Sequence, residues 1–401
     1  MHLVHFIKWL RLRDGGTVRA VLDLCSGLAE RGHTVTALSC DDSGVPDSWR
    51  DPPKSGLPRS VVIRLADPLW ERGGRTMESA TRDTLTQYLP RASVRAAAEV
   101  LRGADGLHLH GVWANCNHQL ARLAHRAGVP YTISPHGMLD DWSMSQGAAK
   151  KKLHLSLLSR KTLHHARAVH CTAQAELDQA KAHFPGGRGV VIPLLFDAAA
   201  FGALPGPGPA RGAFPALASE WPKVLFLSRL HVKKGVDLLI RALGSTARLG
   251  APFTLLLAGP SDPPDYADSL RTLAREEGVA EHVHFLGMVT GPLKLSLYQA
   301  ADVFALPTSQ ENFGYVLYEA LACGLPVITT RGVDIWPELQ ASGGASIVER
   351  EERAVRTAIR ALLDDPEARQ RMGESGRIWA LRHLDREATL DAYEAMYAGR
   401  V

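Results

Sequence analysis

Short apolar runs alternate with longer amphipathic stretches along the chain, and these two periods lay out its architecture. His2–Lys8, Thr34–Ser39, Gly106–His110, Val129–Ser134 and Ala168–Cys171 have the length and composition of buried strands. Between the first two, the stretch from Thr17 to Arg31 sets Val18, Val21, Leu22, Cys25 and Leu28 on one helical face. From Asp41 to Arg102 the pattern is weaker and yields a strand at Val61–Leu65 and a helix near Ala92–Leu101. The second half repeats the scheme with strands at Lys223–Ser228, Phe253–Ala258, Val283–Leu286, Val303–Pro307 and Val327–Thr329, and Glu351–Val401 is helical in pattern. Strands apolar on both faces and separated by helices predict an α/β chain with two parallel sheets, each covered on both sides.

Between the halves, Phe201–Trp221 carries Pro205, Pro207, Pro209 and Pro215 among Gly and Ala, and it reads as a connection. The predicted organisation is an N-terminal domain at 1–200, a linker at 201–221, a second domain at 222–380 and a C-terminal helix at 381–401 packing back on the first. A length of 401 residues suits two cores better than one. In doubly wound sheets all strand C-termini share one edge, so two such domains would bind ligand in a cleft between those edges.

Composition narrows the classes. A formal charge of +4 with 22% charged residues argues against a nucleic-acid surface. Five cysteines, Cys25, Cys40, Cys116, Cys171 and Cys323, lie far apart without a CxxC pair, which fits reduced thiols rather than disulfides or structural zinc. The apolar start is followed, not preceded, by Arg11 and Arg13, so it reads as a first strand and not a secretory signal. No apolar run approaches the ~20 residues of a membrane span. The expectation is a cytoplasmic protein, at most peripheral on a membrane.

Three constellations carry chemistry. Arg13-Asp14-Gly15-Gly16-Thr17 joins the first strand to the first helix, where two glycines admit close approach and a helix N-terminus favours a phosphate. It is not a GxGxxG, and taken alone a Gly-Gly turn is more often structural. Arg229 and Lys234, five apart in a loop after a strand, can converge on one anion such as a diphosphate, or form a solvated basic loop. Glu311-Asn312-Phe313-Gly314-Tyr315-Val316 opens a helix on which Glu319 follows; its carboxylates suit sugar or ribose hydroxyls, or simply favour the helix dipole.

In combination these residues resemble a known family. Arg229 and Lys234 followed by Glu311 and Glu319 in an E-x7-E arrangement are similar to the signature of the retaining glycosyltransferases of family 4, which have the two-domain GT-B fold. Leu225–Arg229, Leu257–Gly259, Ala301–Pro307, Glu319–Ile328, Gly15-Gly16 and Ser134-Pro135-His136-Gly137-Met138 add to the likeness. The resemblance implies two facing Rossmann-like domains, acceptor-side first and donor-binding second, and transfer of a sugar from a nucleotide diphosphate to a hydroxyl of a glycan, lipid-linked or small acceptor.

Carried over position by position, Arg229 and Lys234 would hold the donor diphosphate with a backbone N–H from Gly16. Glu319 would bind the ribose, Glu311 the donor sugar, and the backbone from Phe313 to Val316 sugar and phosphate. The loop from Gly287 to Thr290 would hold the base, and His136 would stand near the anomeric carbon. The resemblance gives the enzyme no cofactor beyond its nucleotide-sugar co-substrate, and the chain has no DxD tripeptide to hold a metal–diphosphate. A nucleotide-sugar epimerase on the same fold and a non-catalytic sugar-nucleotide-binding subunit are the alternatives, and the E-x7-E set argues against both.

Two further features stand outside that set. His108 and His110 alternate along a strand and could face a metal together, but with no third ligand nearby in sequence they read as sheet packing or cleft-edge hydrogen bonding. From Trp142 to Gln174 there is no acidic residue, while Lys150, Lys151, Lys152, Arg160, Lys161 and Arg167 surround Leu153, Leu157 and Leu158. Such a helix can lie on anionic lipid or pack its leucines on the sheet with a solvated basic face.

Overall fold

The computed structural model describes residues 1–11, 15–41, 60–64 (backbone alone), 88–247 and 252–401. They divide into two compact units, Met1–Leu195 with Glu387–Val401, and Phe196–Arg386. The first holds a seven-stranded sheet of order β3-β2-β1-β4-β5-β6-β7 and the second a six-stranded sheet of order β10-β9-β8-β11-β12-β13. Every ladder is parallel. The strands of the first unit are β1 His2–Phe6, β2 Thr34–Ser39, β3 Ser60–Arg64, β4 Gly106–His110, β5 Tyr131–Ser134, β6 Ala168–Cys171 and β7 Gly189–Val191. Those of the second are β8 Lys223–Leu227, β9 Thr254–Ala258, β10 Val283–Gly287, β11 Val303–Leu306, β12 Val327–Thr330 and β13 Ala345–Val348. In both orders the chain winds outward from a central strand, returns, and winds the other way, which is the doubly wound topology.

Alternation along the strands of the first unit separates two cores. Val4, Phe6, Leu107 and Leu109 face one side, under the helices Arg91–Leu101 and Asn115–Arg126. Leu3, Ile7, Val35 and Ala37 face the other, under Gly16–Glu30 and the C-terminal helix Arg386–Tyr397, which contributes Leu390, Tyr393, Met396 and Tyr397. Arg31 fixes that helix at its start through Glu387 at 2.7 Å and Asp391 at 2.5 Å.

Several expectations need correction. The division falls at Leu195/Phe196 instead of at a 201–221 linker, and the second unit runs to Arg386 rather than ending at 380. The proline-rich stretch forms the helix Gly208–Ala213, with proline at its first turn, and packs on the second unit through Ala210 N–H to Ser296 Oγ at 2.9 Å. Proline is excluded from a helix interior but suits its first turn, where no N–H partner is needed. Strands β7 and β13 escaped the apolar reading because they are short, three and four residues, and only partly buried. Arg13 and Asp14 lie outside the described residues, as does most of the segment between Asp41 and Pro90.

Candidate active site

In the second unit the chain leaves β8 at Leu227, turns through Val232–Lys234 and enters the helix Val236–Ala247. The turn is tied to the loop after β11: Ser309 N–H donates to the Lys233 carbonyl at 2.7 Å, and Thr308 Oγ1 does so at 3.1 Å. Gly235 closes the turn at φ 73°, and any Cβ there would run into the Pro307 carbonyl. This close approach sets Lys234 beside Glu311, although the two lie 77 positions apart.

Lys234 is only 4% exposed and its ammonium forms an ion pair with the Glu311 carboxylate. Lys233 reaches Gln310 Oε1 at 3.0 Å, and Arg229, its side chain 46% exposed, pairs with Asp262 at 2.5 Å. Burial pushes the Glu311 carboxyl up, but Lys234 reverses this, with Lys233 and Arg229 adding to it, so it titrates below the ordinary carboxylate range. Three cations therefore act on one carboxylate at this strand edge. A dianion placed there would meet positive charge already gathered, at little reorganisation cost.

Glu311 is held at both backbone groups, its N–H donating to Gly332 O at 2.8 Å and its carbonyl accepting from Asp334 N–H at 2.9 Å. Asn312 Nδ2 donates to Asp334 Oδ2 at 3.1 Å, which turns the chain towards the helix Tyr315–Ala322. Gly314 precedes this helix at φ 62°, where a Cβ would come within 2.8 Å of Leu317 Cδ1. No side chain caps that helix start. Phe313 is buried, its ring 5.0 Å from those of Tyr315 and Tyr318. Glu319 does not join the Lys234–Glu311 pair; it accepts from Lys294 Nζ at 2.5 Å and Tyr298 Oη at 3.0 Å, while the same hydroxyl lies 3.3 Å from the Val316 carbonyl. Gly287 ends β10 at φ 70° and accepts from Gly259 N–H at 2.7 Å.

In the first unit, Gly15 adopts φ 99° and starts the helix Gly16–Glu30 with no side-chain cap. His136 follows β5 in the left-handed region, φ 53°, the one described non-glycine residue with positive φ. Glu176, 1% exposed, steadies this turn by accepting from Gly137 N–H and Thr172 N–H, both at 2.7 Å. Around it the register gathers histidines. His5 of β1 pairs with His108 of β4, His110 with Ser134 of β5, and His170 stands on the neighbouring β6. His5, His108, His110 and His170 are all buried, and burial lowers their titration, to about 3 for His5 and about 4 for His170.

Sequence reasoning named Arg229, Lys234, Glu311 and Glu319 but not the groups that hold them. Asp262, Lys294, Tyr298 and Asp334 belong to no motif and join the site only through the fold, and Gln310, next to Glu311 in the chain, is met by Lys233. The third histidine near His108 and His110, absent from the local sequence, is His5; one ring nitrogen from each lies within 4.8 Å of the others.

Two doubly wound units, the second with cations converging at the edge after its first strand, define the GT-B class of nucleotide-sugar-dependent glycosyltransferases. Residues 213–379 match the family described as glycosyl transferases group 1, and residues 15–194 match the glycosyl transferase 4-like domain. Over 346 residues the chain is 31% identical to the GDP-mannose-dependent alpha-(1-6)-phosphatidylinositol monomannoside mannosyltransferase of Mycolicibacterium smegmatis, covering 81% of this chain and 87% of that one. It is 27% identical over 404 residues to a glycogen synthase of Mycobacterium tuberculosis, covering 96% and 91% respectively. Among solved structures it superposes on Anabaena HepE in complex with UDP-glucose with a TM-score of 0.77 at 17% identity, over 99% of both chains. Sucrose-phosphate synthase from Thermosynechococcus elongatus gives 0.75 at 21%, over 99% of this chain and 98% of that one. The chain belongs to glycosyltransferase family 4, and it is an enzyme that moves a sugar from a nucleotide sugar to an acceptor in glycan biosynthesis.

Proposed function

We propose that the chain transfers its sugar with retention of anomeric configuration, and that the cation cluster after β8 receives the departing diphosphate. The observation that carries this reading is the buried ion pair of Lys234 with Glu311, whose carboxyl Lys233 and Arg229 also hold down by their charge, beside the uncapped helix Tyr315–Ala322. As the glycosidic bond lengthens, charge develops on the leaving phosphate, and fixed cations nearby lower the barrier. Arg229 and Lys234 hold the diphosphate, and Gly15 and Gly16 leave backbone N–H groups open at the uncapped start of the helix Gly16–Glu30. Glu311, released from Lys234 as the phosphate takes its place, accepts from sugar hydroxyls. Glu319 takes the ribose, Gly287 borders the base, and Asn312, Phe313, Gly314, Tyr315 and Val316 line sugar and phosphate. His136 serves at the sugar. No metal is required, because side-chain cations meet the charge, and no nucleic acid is a partner.

The acceptor hydroxyl attacks from the face the diphosphate leaves, and the departing phosphate takes its proton. Incubation with UDP- and GDP-sugars, with the released or transferred sugar followed by proton NMR, tests this. The first-formed product should keep the anomeric configuration of its donor; an inverted first product contradicts the reading.

The stretch 148–164 supports an acceptor presented at an anionic membrane surface. Leu153 and Leu157 are 59% and 69% exposed, and Lys150, Lys152, Arg160 and Lys161 are exposed around them. Leu155 and Leu163, not the expected Leu153, Leu157 and Leu158, are the leucines buried against the first unit. Lys151 and Arg167 turn inward, to Ser143 O at 2.5 Å and Tyr397 O at 2.6 Å. Each outward cation near such a surface contributes about 1 kcal/mol. No helix among the described residues is long and apolar enough to cross a membrane, so this contact is peripheral. Sedimentation should recover more protein with vesicles containing phosphatidylglycerol than with phosphatidylcholine alone, and L153S/L157S should lower the difference. Equal pelleting in both removes the membrane surface from the account.

A further inference from the structure

The buried histidines of the first unit include three rings in series. His136 Nε2 lies 3.0 Å from His110 Nδ1, and His110 Nε2 lies 3.2 Å from His5 Nδ1. Interplanar angles of 21° and 16°, with centroids 5.2 and 5.5 Å apart, set the rings edge to edge and close to one plane. The contacting nitrogens therefore point at one another. His108 stands outside this series: its Nδ1 is 2.7 Å from Tyr397 Oη, its Nε2 is 2.6 Å from Ser134 Oγ, and its ring stacks on His110 at 4.2 Å.

A neutral imidazole has one proton for two nitrogens, so each ring in the series donates on one side and accepts on the other. Two states satisfy both contacts, one with every proton pointing outward to His136 and one with every proton pointing inward to His5. The inner end decides between them. His5 Nε2 is buried with no hydrogen-bond partner among the described residues. The inward state would leave an N–H there without an acceptor, whereas the outward state leaves only a bare lone pair. Orphaned buried donors are rarer in proteins than under-satisfied acceptors.

We infer that His5 and His110 are positioning residues that fix the tautomer of His136, holding its proton on Nδ1 so that His136 meets the substrate as a neutral hydrogen-bond donor rather than as a base. The protons run from His5 Nδ1–H to His110 Nε2, and from His110 Nδ1–H to His136 Nε2. An Nδ1–H in that place is suited to an oxygen acceptor of the substrate. The left-handed backbone of His136, φ 53°, presents the ring from a turn that Glu176 holds in place. This deepens the role of His136 given under Proposed function, and rests on it only for the consequence in turnover.

The full chain labelled with 15N-histidine, studied by two-bond proton–nitrogen correlation with H136Q identifying the resonance, reads the tautomer directly. His136 should show a protonated Nδ1 and a bare Nε2. In H110D the inner group is a carboxylate that accepts and does not donate, so His136 Nε2 should take up a proton, with kcat falling about 10²-fold and KM little changed. In H110N the amide stands where Nδ1 stood, so both tautomer and kcat should be restored to within a few-fold of the wild type. A wild-type His136 protonated on Nε2, or a His136 Nε2 that stays bare in H110D, overturns the inference. So does stoichiometric zinc in the purified chain, because a cation shared by His5, His108 and His110 would break the His5–His110 hydrogen bond. If the tautomer is as stated but H136A turns over normally, the role of His136 at the sugar fails and the hydrogen-bonded series stands.

Discussion

Replacing Lys234 with alanine is expected to lower kcat on the nucleotide-sugar donor by about 10²–10³-fold, the usual loss when one stabiliser of developing oxyanion charge is removed. The effect should exceed that of R229A, because the two cations differ in environment. Lys234 is 4% exposed, whereas the Arg229 side chain is 46% exposed and shared with Asp262, so water screens the second far more than the first. K234A should also destabilise the second unit. Its loss strands the Glu311 carboxylate at a site where burial already disfavours charge, and breaking such a pair from one side costs about 3–5 kcal/mol. E311Q should restore part of that stability in the K234A background without restoring turnover. Steady-state kinetics with thermal melts of the single and double variants check this, and near-normal kcat in K234A would contradict it.

Acid should unfold the first unit well before the second. In the unfolded chain a histidine takes up its proton near 6.5, but burial keeps His5 neutral to about 3 and His170 to about 4, with His108 and His110 well below 6.5 as well. Below 6.5 the unfolded state therefore binds more protons, and stability present above that pH is lost as the pH falls. His5 and His170 each withdraw about 1.5 kcal/mol between pH 6.5 and pH 5. With His108 and His110 shifted in the same direction, the loss is a large part of the 5–15 kcal/mol of a typical fold. Circular dichroism melts at pH 7.5, 6.5, 5.5 and 5.0 should show one transition dropping steeply, and H5N should flatten that drop by about one proton. A melting temperature unchanged between pH 6.5 and 5.0 would refute the neutral, enclosed state of these rings.

The sheets were legible because their strands are apolar on both faces. Lys223–Leu227, Thr254–Ala258 and Val303–Leu306 fall within a residue or two of where hydrophobicity alone puts them. The edge strands Gly189–Val191 and Ala345–Val348 were not legible, since they are only three and four residues long and partly buried. The helix Gly208–Ala213 was missed because its one proline, Pro209, sits in the helical turn that tolerates it.

At the site, the resemblance carried by the combined motifs pointed to Arg229, Lys234, Glu311 and Glu319; the first three lie in loops after strand ends and Glu319 on the helix that follows. Spacing could not show that Lys234 and Glu311 neutralise each other, since β8 and β11 come together only in the folded sheet. Nor could it show that Glu319 turns to Lys294 and Tyr298 instead. His108 and His110 announced themselves by alternation, but their third neighbour is His5, brought there by parallel register with β1, and the enclosing Tyr393 and Tyr397 come from the far end of the chain.

The central claim is that the enclosed ammonium of Lys234 grips the diphosphate of the donor. Calorimetric titration of UDP, GDP and the matching monophosphates into the wild type and K234M measures it without any acceptor. The wild type should bind one diphosphate at least tenfold more tightly than its monophosphate, and K234M should lose most of that preference, as expected when a charge-assisted contact of about 1.5–3 kcal/mol is removed. A K234M chain that still folds and binds the diphosphate as tightly as the wild type would contradict the account.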